Sequence, residues 1–246
     1  MKELQPPPTH RETFRVRCRE TDRNGLLKLS SWFDFLQEAA ANHAAQLGVG
    51  LEALSERGLL WVLSRLHLSI RRYPAIGESV TVETWPNGFR RLFAHRQFRL
   101  TGEDGGEMAV ASSAWLLLSA EKLRPIRLEQ LPAALPPNAE KPDYFPLETK
   151  LPEPEVPARF QIRVRPTMED VNGHLNNAEY AGLVQDCATG PGESSPRFRE
   201  VELHFLSAVR APELLTVGGI RSGSRFLCCG RNEAGQLSFN AAAELQ

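Results

Sequence analysis

Long apolar runs are missing from this chain of 246 residues. None approaches the roughly 18 residues that mark a membrane-spanning helix, so no membrane association is expected. The opening segment, Met1 to His10, is polar and Pro-rich. It has neither the apolar stretch of a secretory signal nor the Arg/Ser bias of a transit peptide. Cysteine is scarce. Cys18, Cys187, Cys228 and Cys229 show no metal-ligand spacing, and adjacent Cys228 and Cys229 are poorly placed to pair with each other. Free thiols in a reducing cytoplasm are the expectation. Net charge is almost absent as well: at −1 the chain is no globally basic nucleic-acid binder. Lysine is rare, with 5 Lys against 24 Arg, the bias of a GC-rich and in that case bacterial genome. There is no phosphate-type glycine loop and no clustered ligand set, so no nucleotide, flavin, metal or other cofactor is expected. What remains, 41% apolar and 24% charged residues, is the composition of an ordinary soluble globular protein.

The strongest positive signal is an internal repeat. Residues 14–40, moved by 148 positions, match residues 162–188 without a gap at nine of 27 positions. Arg15, Val16 and Arg17 fall on Arg163, Val164 and Arg165. Asp22, Asn24 and Gly25 fall on Asp170, Asn172 and Gly173. Leu27, Gln37 and Ala40 fall on Leu175, Gln185 and Ala188. A period this long denotes a duplicated domain, because solenoid repeats run about 20–50 residues. Between the copies, residues 129–160 hold eight of the chain's 18 prolines. Proline removes backbone donors, so this stretch is neither helix nor central strand. Its Leu131, Leu135, Tyr144, Phe145 and Leu147 predict an ordered linker packed on a surface.

Both copies carry the same order of elements. A short strand (Phe14–Arg19; Phe160–Arg165) leads to a polar loop and then a helix. In the first copy the helix spans about Ser31 to Leu47, with Ser31 as N-cap and an apolar stripe through Trp32, Phe35, Leu36 and Ala39. In the second, Asn177 is the expected N-cap. Alternating strands follow, joined by Gly-containing turns. One helix and a run of hairpin-linked strands is an α+β pattern. It predicts a tandem hot-dog fold, each half an antiparallel sheet wrapped round one helix. The divisions are 1–128, the linker 129–160, and 161–246.

The chemistry-bearing segment is Asp170-Val-Asn-Gly-His-Leu-Asn-Asn177. Asp170, Asn172 and His174 alternate in a polar loop just ahead of a helix, whose N-terminus offers unpaired N–H groups and a partial positive charge. Such groups can stabilise an oxyanion, and histidine can take a proton from water at neutral pH. These are the parts of a hydrolase that uses water directly. A purely structural alternative has Asp170 and Asn172 forming an Asx turn. The repeat bears on it: the first copy keeps Asp22, Asn24 and Gly25 but has Leu26 where His174 stands. Trp32, Phe35, Trp61 and Trp115 are candidate walls of an apolar site or else simple core residues. Seven arginines from Arg65 to Arg99 against Glu78 and Glu83 are either a basic patch for an acidic partner or a solvated strand face.

With these residues in view the sequence resembles the bacterial acyl-acyl-carrier-protein thioesterases, related to the plant plastid enzymes. The motif Asp-x-Asn-x-His-x-Asn-Asn stands at Asp170–Asn177. A second signature runs through Trp61-Val-Leu-Ser-Arg65, Arg72-Tyr73-Pro74, Gly77-Glu78, Thr84-Trp85-Pro86, Phe93, Arg96, Phe98, Trp115 and Arg124-Pro125. The resemblance covers about residues 11–128 and 159–220. It implies hydrolysis of fatty acyl thioesters on acyl carrier protein, with Asp170, Asn172 and His174 catalytic. It also implies an acyl-binding first half, using Trp32, Phe35 and Trp61, with Asn176 and Asn177 nearby. Where the family has a glutamate, this chain has Ala208; Glu202 and Glu179 are the candidate substitutes. An acyl-coenzyme A thioesterase and a non-catalytic acyl-thioester binder stay open as alternatives, as does a homodimer.

Overall fold

The duplicated segments fold into duplicated strands. The computed structural model describes residues 7–147, 149–190 and 192–246. The first copy contributes β1 (His10–Arg15), α1 (Leu29–Gln46), the short α2 (Leu51–Ser55), β2 (Leu59–Ile70), β3 (Ser79–Arg90), β4 (Phe93–Thr101) and β5 (Glu107–Ser119). The second contributes β6 (Ala158–Arg163), α3 (Asn177–Ala188), β7 (Phe198–Phe205), β8 (Leu214–Ser222), β9 (Arg225–Arg231) and β10 (Leu237–Leu245). They form one antiparallel sheet of 10 strands in the order β1-β3-β4-β5-β2-β7-β10-β9-β8-β6. With the copies matched, this order reads the same from either end, and β2–β7 is the seam. The architecture is the α+β double hot dog, with α1 and α3 packed side by side against the sheet.

The seam shows why the halves do not behave as separate bodies. Leu66 and Leu68 oppose Leu203 and Val201, all buried. The alternate residues Arg65 and His67 oppose His204 and Glu202 on the other face. Behind the seam one apolar core runs through both copies, from Trp32, Phe33 and Leu36 to Tyr180, Val184 and Phe239.

The Pro-rich linker crosses the face opposite the helices, where polar strand residues would otherwise be left facing water. Phe145 stacks on His67 at 3.9 Å between ring centroids. The Gln97 side chain donates to Asp143 at 2.9 Å and accepts from the Tyr144 N–H at 3.2 Å. In the second half, His204 Nδ1 accepts from the Leu151 N–H at 3.3 Å, and Asn240 donates to the Pro152 carbonyl at 3.1 Å. Side chains that tether the linker replace the backbone donors that its prolines lack.

The helix starts differ from the sequence expectation. α1 begins at Leu29, and Ser31 donates to the Glu20 carbonyl at 3.0 Å instead of capping. The cap position is Lys28, which offers no side-chain acceptor. Its place is taken by Gln185 of α3, whose Oε1 accepts from the Leu29 N–H at 2.7 Å. The relation is reciprocal: Asn176, not Asn177, caps α3 through Ala178 N–H at 2.9 Å, and Gln37 of α1 donates to the same Asn176 Oδ1 at 3.1 Å. Gln37 and Gln185 are repeat-related, so each helix supports the start of the other. The first strand of each copy also ends earlier than expected, at Arg15 and Arg163. A 3-10 turn at Cys18–Glu20, and its counterpart at Pro166–Met168, takes the chain out of the sheet.

Gln185→Ala leaves the buried Leu29 N–H without an acceptor. A loss of about 1–2 kcal/mol of stability is expected from denaturant unfolding. Unchanged stability would mean that another group caps α1.

Candidate functional site

The loop ahead of each helix is built in the same way. Asp22 Oδ1 accepts from the N–H groups of Asn24 (2.9 Å) and Leu26 (3.2 Å). Asp170 Oδ1 accepts from those of Asn172 (2.8 Å) and His174 (3.3 Å). Gly25 and Gly173 sit at φ of 72° and 68°, the left-handed region that glycine enters without strain. The Asx-turn role therefore holds for the aspartate in both copies. Asp170 is occupied by the backbone and is not hydrogen-bonded to the imidazole.

The imidazole has a different partner. His174 is half-buried, and its Nε2 lies 2.8 Å from a guanidinium nitrogen of Arg210. Arginine can only donate, so Nε2 is the acceptor and Nδ1 carries the proton. Arg210 is itself held by its backbone N–H on Glu213 Oε1 at 3.1 Å, and the next N–H, that of Ala211, rests on Glu169 Oε1 at 2.8 Å.

This loop opens into a cavity of about 1210 Å³. Asp170, Asn172, His174, Asn176 and Asn177 line one end. From there the cavity follows α1 past Gln37, Ala40, Ala41 and Ala44, and then reaches Trp61 and Trp115. The site thus joins the chemistry-bearing loop of the second copy to the helix and strands of the first. Trp61 holds its place by donating to the Val49 carbonyl at 3.0 Å.

Trp32 and Phe35 do not line this cavity. Trp32 packs edge-on to Tyr73 at 6.0 Å, and Phe35 stacks on Phe14 at 4.6 Å, both inside the shared core. The large residues of α1 face the sheet, and Ala40, Ala41 and Ala44 face the cavity. A stripe of bulky side chains marks the packed side of a helix; small ones leave the room. Gln37, Arg210 and the Ala41/Ala44 track were not singled out as site residues from sequence, although the Gln37/Gln185 identity marked that position.

Ala208 does lie on the cavity wall. The substitutes considered for its missing carboxylate are elsewhere. β7 ends at Phe205, so strand alternation does not extend to Ala208. Glu202 is on the linker-covered face, 2.7 Å from His204. Glu179 is in the first turn of α3, outside the cavity wall, where burial and then Asp34 raise its carboxyl above the usual range.

The arginine-rich stretch does not form a free basic patch. Arg65 is buried over the Phe93 ring and donates to the Leu147 carbonyl. Arg71 pairs with Glu107 at 3.2 Å, Arg72 with Glu78 at 3.0 Å, and Arg90 with Asp143. Arg96 is buried on the cavity wall. Local acids and burial take up five of the seven arginines, and Arg91 and Arg99 stay exposed. Among the described residues no group of three or more His, Cys, Asp or Glu side chains could hold a metal ion, and no helix is long and apolar enough to cross a membrane.

The family model for the acyl-ACP thioesterase N-terminal domain matches residues 7–131, just over half of the chain. The chain belongs to the acyl-ACP thioesterase family. It is 28% identical over 194 residues to the chloroplastic oleoyl-acyl carrier protein thioesterase 1 of Arabidopsis thaliana, covering 72% of this chain and 54% of that one. It is 31% identical over 194 residues to the dodecanoyl-[acyl-carrier-protein] hydrolase of Umbellularia californica, covering 71% and 49%. The chain thus spans about half the length of the curated relatives it matches. Among solved structures, an acyl-ACP thioesterase from Bacteroides thetaiotaomicron superposes with a TM-score of 0.87 at 21% identity, covering 97% of this chain and 98% of that one.

The two aspartates of this acyl-ACP thioesterase family member differ in one respect. Asp22 Oδ2 also lies 3.0 Å from Arg197, with both side chains largely buried, whereas Asp170 forms no such pair among the described residues. Asp22→Ala therefore strands a buried cation as well as two N–H groups. It is expected to cost about 3–5 kcal/mol in chemical denaturation, clearly more than Asp170→Ala. Equal losses would refute the assignment of a second, ion-pairing role to Asp22.

Proposed function

We propose that this chain hydrolyses fatty acyl thioesters on acyl carrier protein and releases the free fatty acid. The observation that carries the reading is a single cavity joining an alanine-lined track along α1 to the Asp170–Asn177 turn. The first half holds the acyl chain, with Trp61 and Trp115 as walls. The second half brings the thioester carbonyl to His174 and to the loop and N-terminus of α3, where Asn172, Asn176 and Asn177 lie.

His174 takes a proton from water as the water oxygen attacks the carbonyl carbon. The oxyanion that forms is stabilised by the positive end of α3. Collapse of the tetrahedral intermediate breaks the C–S bond, and the thiol leaves with the proton that the imidazole took. Arg210 must release Nε2 for this to occur. Its guanidinium then stands beside the developing oxyanion, near the wall position of Ala208. The charge logic differs from a histidine backed by a glutamate: a cation serves the oxyanion in place of an anion serving the imidazolium. No cofactor enters the reaction, and the setting is cytoplasmic fatty acid synthesis in a bacterium.

A second reading, hydrolysis of acyl-coenzyme A, is favoured by one observation: the arginines of residues 65–99 are largely neutralised or buried and give little steering for an acidic carrier. Turnover of carrier-protein and coenzyme A thioesters bearing the same acyl chain separates the two. At least about tenfold higher kcat/KM on the carrier-protein substrate is expected. Equal or reversed values assign the coenzyme A reading, and tight binding of both without turnover assigns the non-catalytic binder.

A further inference from the structure

The cavity has a second end, past the C-terminus of α1. It is walled by Leu51 and Leu54 of α2, by Leu118 of β5, and by Leu123 and Pro125 just after that strand. Leu51 and Leu123 keep 59% and 53% of their surface, so the wall reaches the outside of the molecule there. The sheet brings a third loop to the same corner. The β3–β4 hairpin turns at Arg91 and Leu92, and the pairing of Phe93 with Leu116 sets that turn beside the end of β5. On the other side Leu59 and Leu60 oppose Ser119 and Leu118, and the Ala120 N–H donates to the Gly58 carbonyl at 2.8 Å. In the hairpin, Phe89 and Leu92 each keep 48% of their surface.

Four of the eight strongly exposed large hydrophobic side chains among the described residues therefore stand at one corner of the sheet. Scattered exposed leucines are ordinary, whereas a cluster marks a contact surface. Two of its loops also carry backbone strain. Arg91 and Leu123 sit at φ of 56° and 50°, a region in which glycine is at ease and other residues are not. Leu123 is held there by its N–H on the Ser119 carbonyl at 2.8 Å. One strained tip presents a cation and the other an apolar side chain, both to solvent.

The charges around the corner lean one way. Arg90 is paired with Asp143. Across residues 51–57, 89–92 and 119–127 that leaves Arg57, Arg91, Lys122, Arg124 and Arg127 against Glu52, Glu56 and Glu121, all exposed. Apolar tips flanked by cations suit the boundary between anionic lipid headgroups and acyl chains, with the long basic side chains reaching back to the phosphates. The lack of a membrane-spanning helix does not bear on this, because a surface contact needs none.

We infer that this corner docks on an anionic lipid surface. Leu51 and Leu123 belong both to the corner and to the cavity, so docking sets the hydrocarbon end of the cavity against the bilayer. A released fatty acid then passes its chain to lipid instead of water. The choice of lipid as occupant rests on the thioester reading of the cavity; the binding itself requires no turnover.

The test is cosedimentation of the full chain, without substrate, with vesicles of phosphatidylcholine and phosphatidylglycerol in equal parts. The wild type is expected to bind them, and to bind pure phosphatidylcholine vesicles several-fold more weakly. Leu92→Glu and Leu123→Glu, in two different loops, should each weaken binding by about tenfold or more. Ile220→Glu, at an equally exposed apolar position on β8, should not. Arg91→Glu, which removes no apolar side chain, should abolish the preference for anionic vesicles and serves if a leucine variant does not fold. No binding by the wild type overturns the inference. So does binding that Leu92→Glu, Leu123→Glu and Arg91→Glu all leave intact, or that Ile220→Glu weakens equally. Self-association that Leu92→Glu abolishes, without vesicle binding, makes the corner an interface between copies and also overturns it. Vesicle binding without turnover of any thioester would refute the hydrolase reading and leave the surface standing; turnover without vesicle binding does the reverse.

Discussion

The antiparallel pairing of β2 with β7 is the interaction on which the site depends. It joins two five-stranded halves into one sheet and places Leu66 and Leu68 against Leu203 and Val201 in a common core. The strand that supplies Trp61 and Leu63 to the cavity is thereby the direct neighbour of the strand that leads into Leu206, Ser207, Ala208 and Arg210. Above the seam, the Gln37–Asn176 and Gln185–Leu29 bonds fix the two helices to each other at the ends where the repeated loops enter. A cavity that draws its walls from one copy and its histidine from the other needs both contacts.

Duplication explains the scaffold, and divergence explains why the cavity lies where it does. α1 has 18 residues and α3 has 12. The repeat partners of Ala41 and Ala44 are Thr189 and Gly192, which lie beyond the end of α3. The second helix therefore has no extended face of small residues to flank a long chain. Its loop, in turn, has His174 where the first has Leu26. Around that first loop, Asp22 and Arg197 are tied together, and Tyr73 exchanges hydrogen bonds with the backbone of Phe198 at 2.9 and 3.1 Å. On the proposed reading one copy is the container and the other the reactive end, and in the remaining corner side chains fill the space.

Much of this was legible in the sequence, because it rests on periodicity and repetition. The alternation of β2 and the repeat at 148 residues are enough for two matched α+β halves, but not for the order of their strands in the sheet. The turn chemistry of Asp170 and Gly173 is likewise local. What could not be read depends on long-range geometry. Ser31 looked like a cap, but the cap of α1 comes from Gln185 of the other helix, 156 residues away. Trp32 and Phe35 looked like cavity walls, but which side of an amphipathic helix meets sheet and which meets empty space is set by the packing of the whole. The charge of residues 65–99 is reduced in part for the same reason, since Asp143, which pairs with Arg90, and the Leu147 carbonyl, which accepts from Arg65, come from the linker. Arg210 carried no pattern at all; only the folded loop brings it to His174.

The account stands or falls on His174 as the group that activates water in a site the two copies share. The direct measurement is single-turnover hydrolysis of a fatty acyl-carrier-protein thioester by the wild type and by His174→Ala, each checked for an unchanged unfolding midpoint. A rate at least about 100-fold lower in the folded variant is the predicted result. Hydrolysis at the wild-type rate in folded His174→Ala would contradict it.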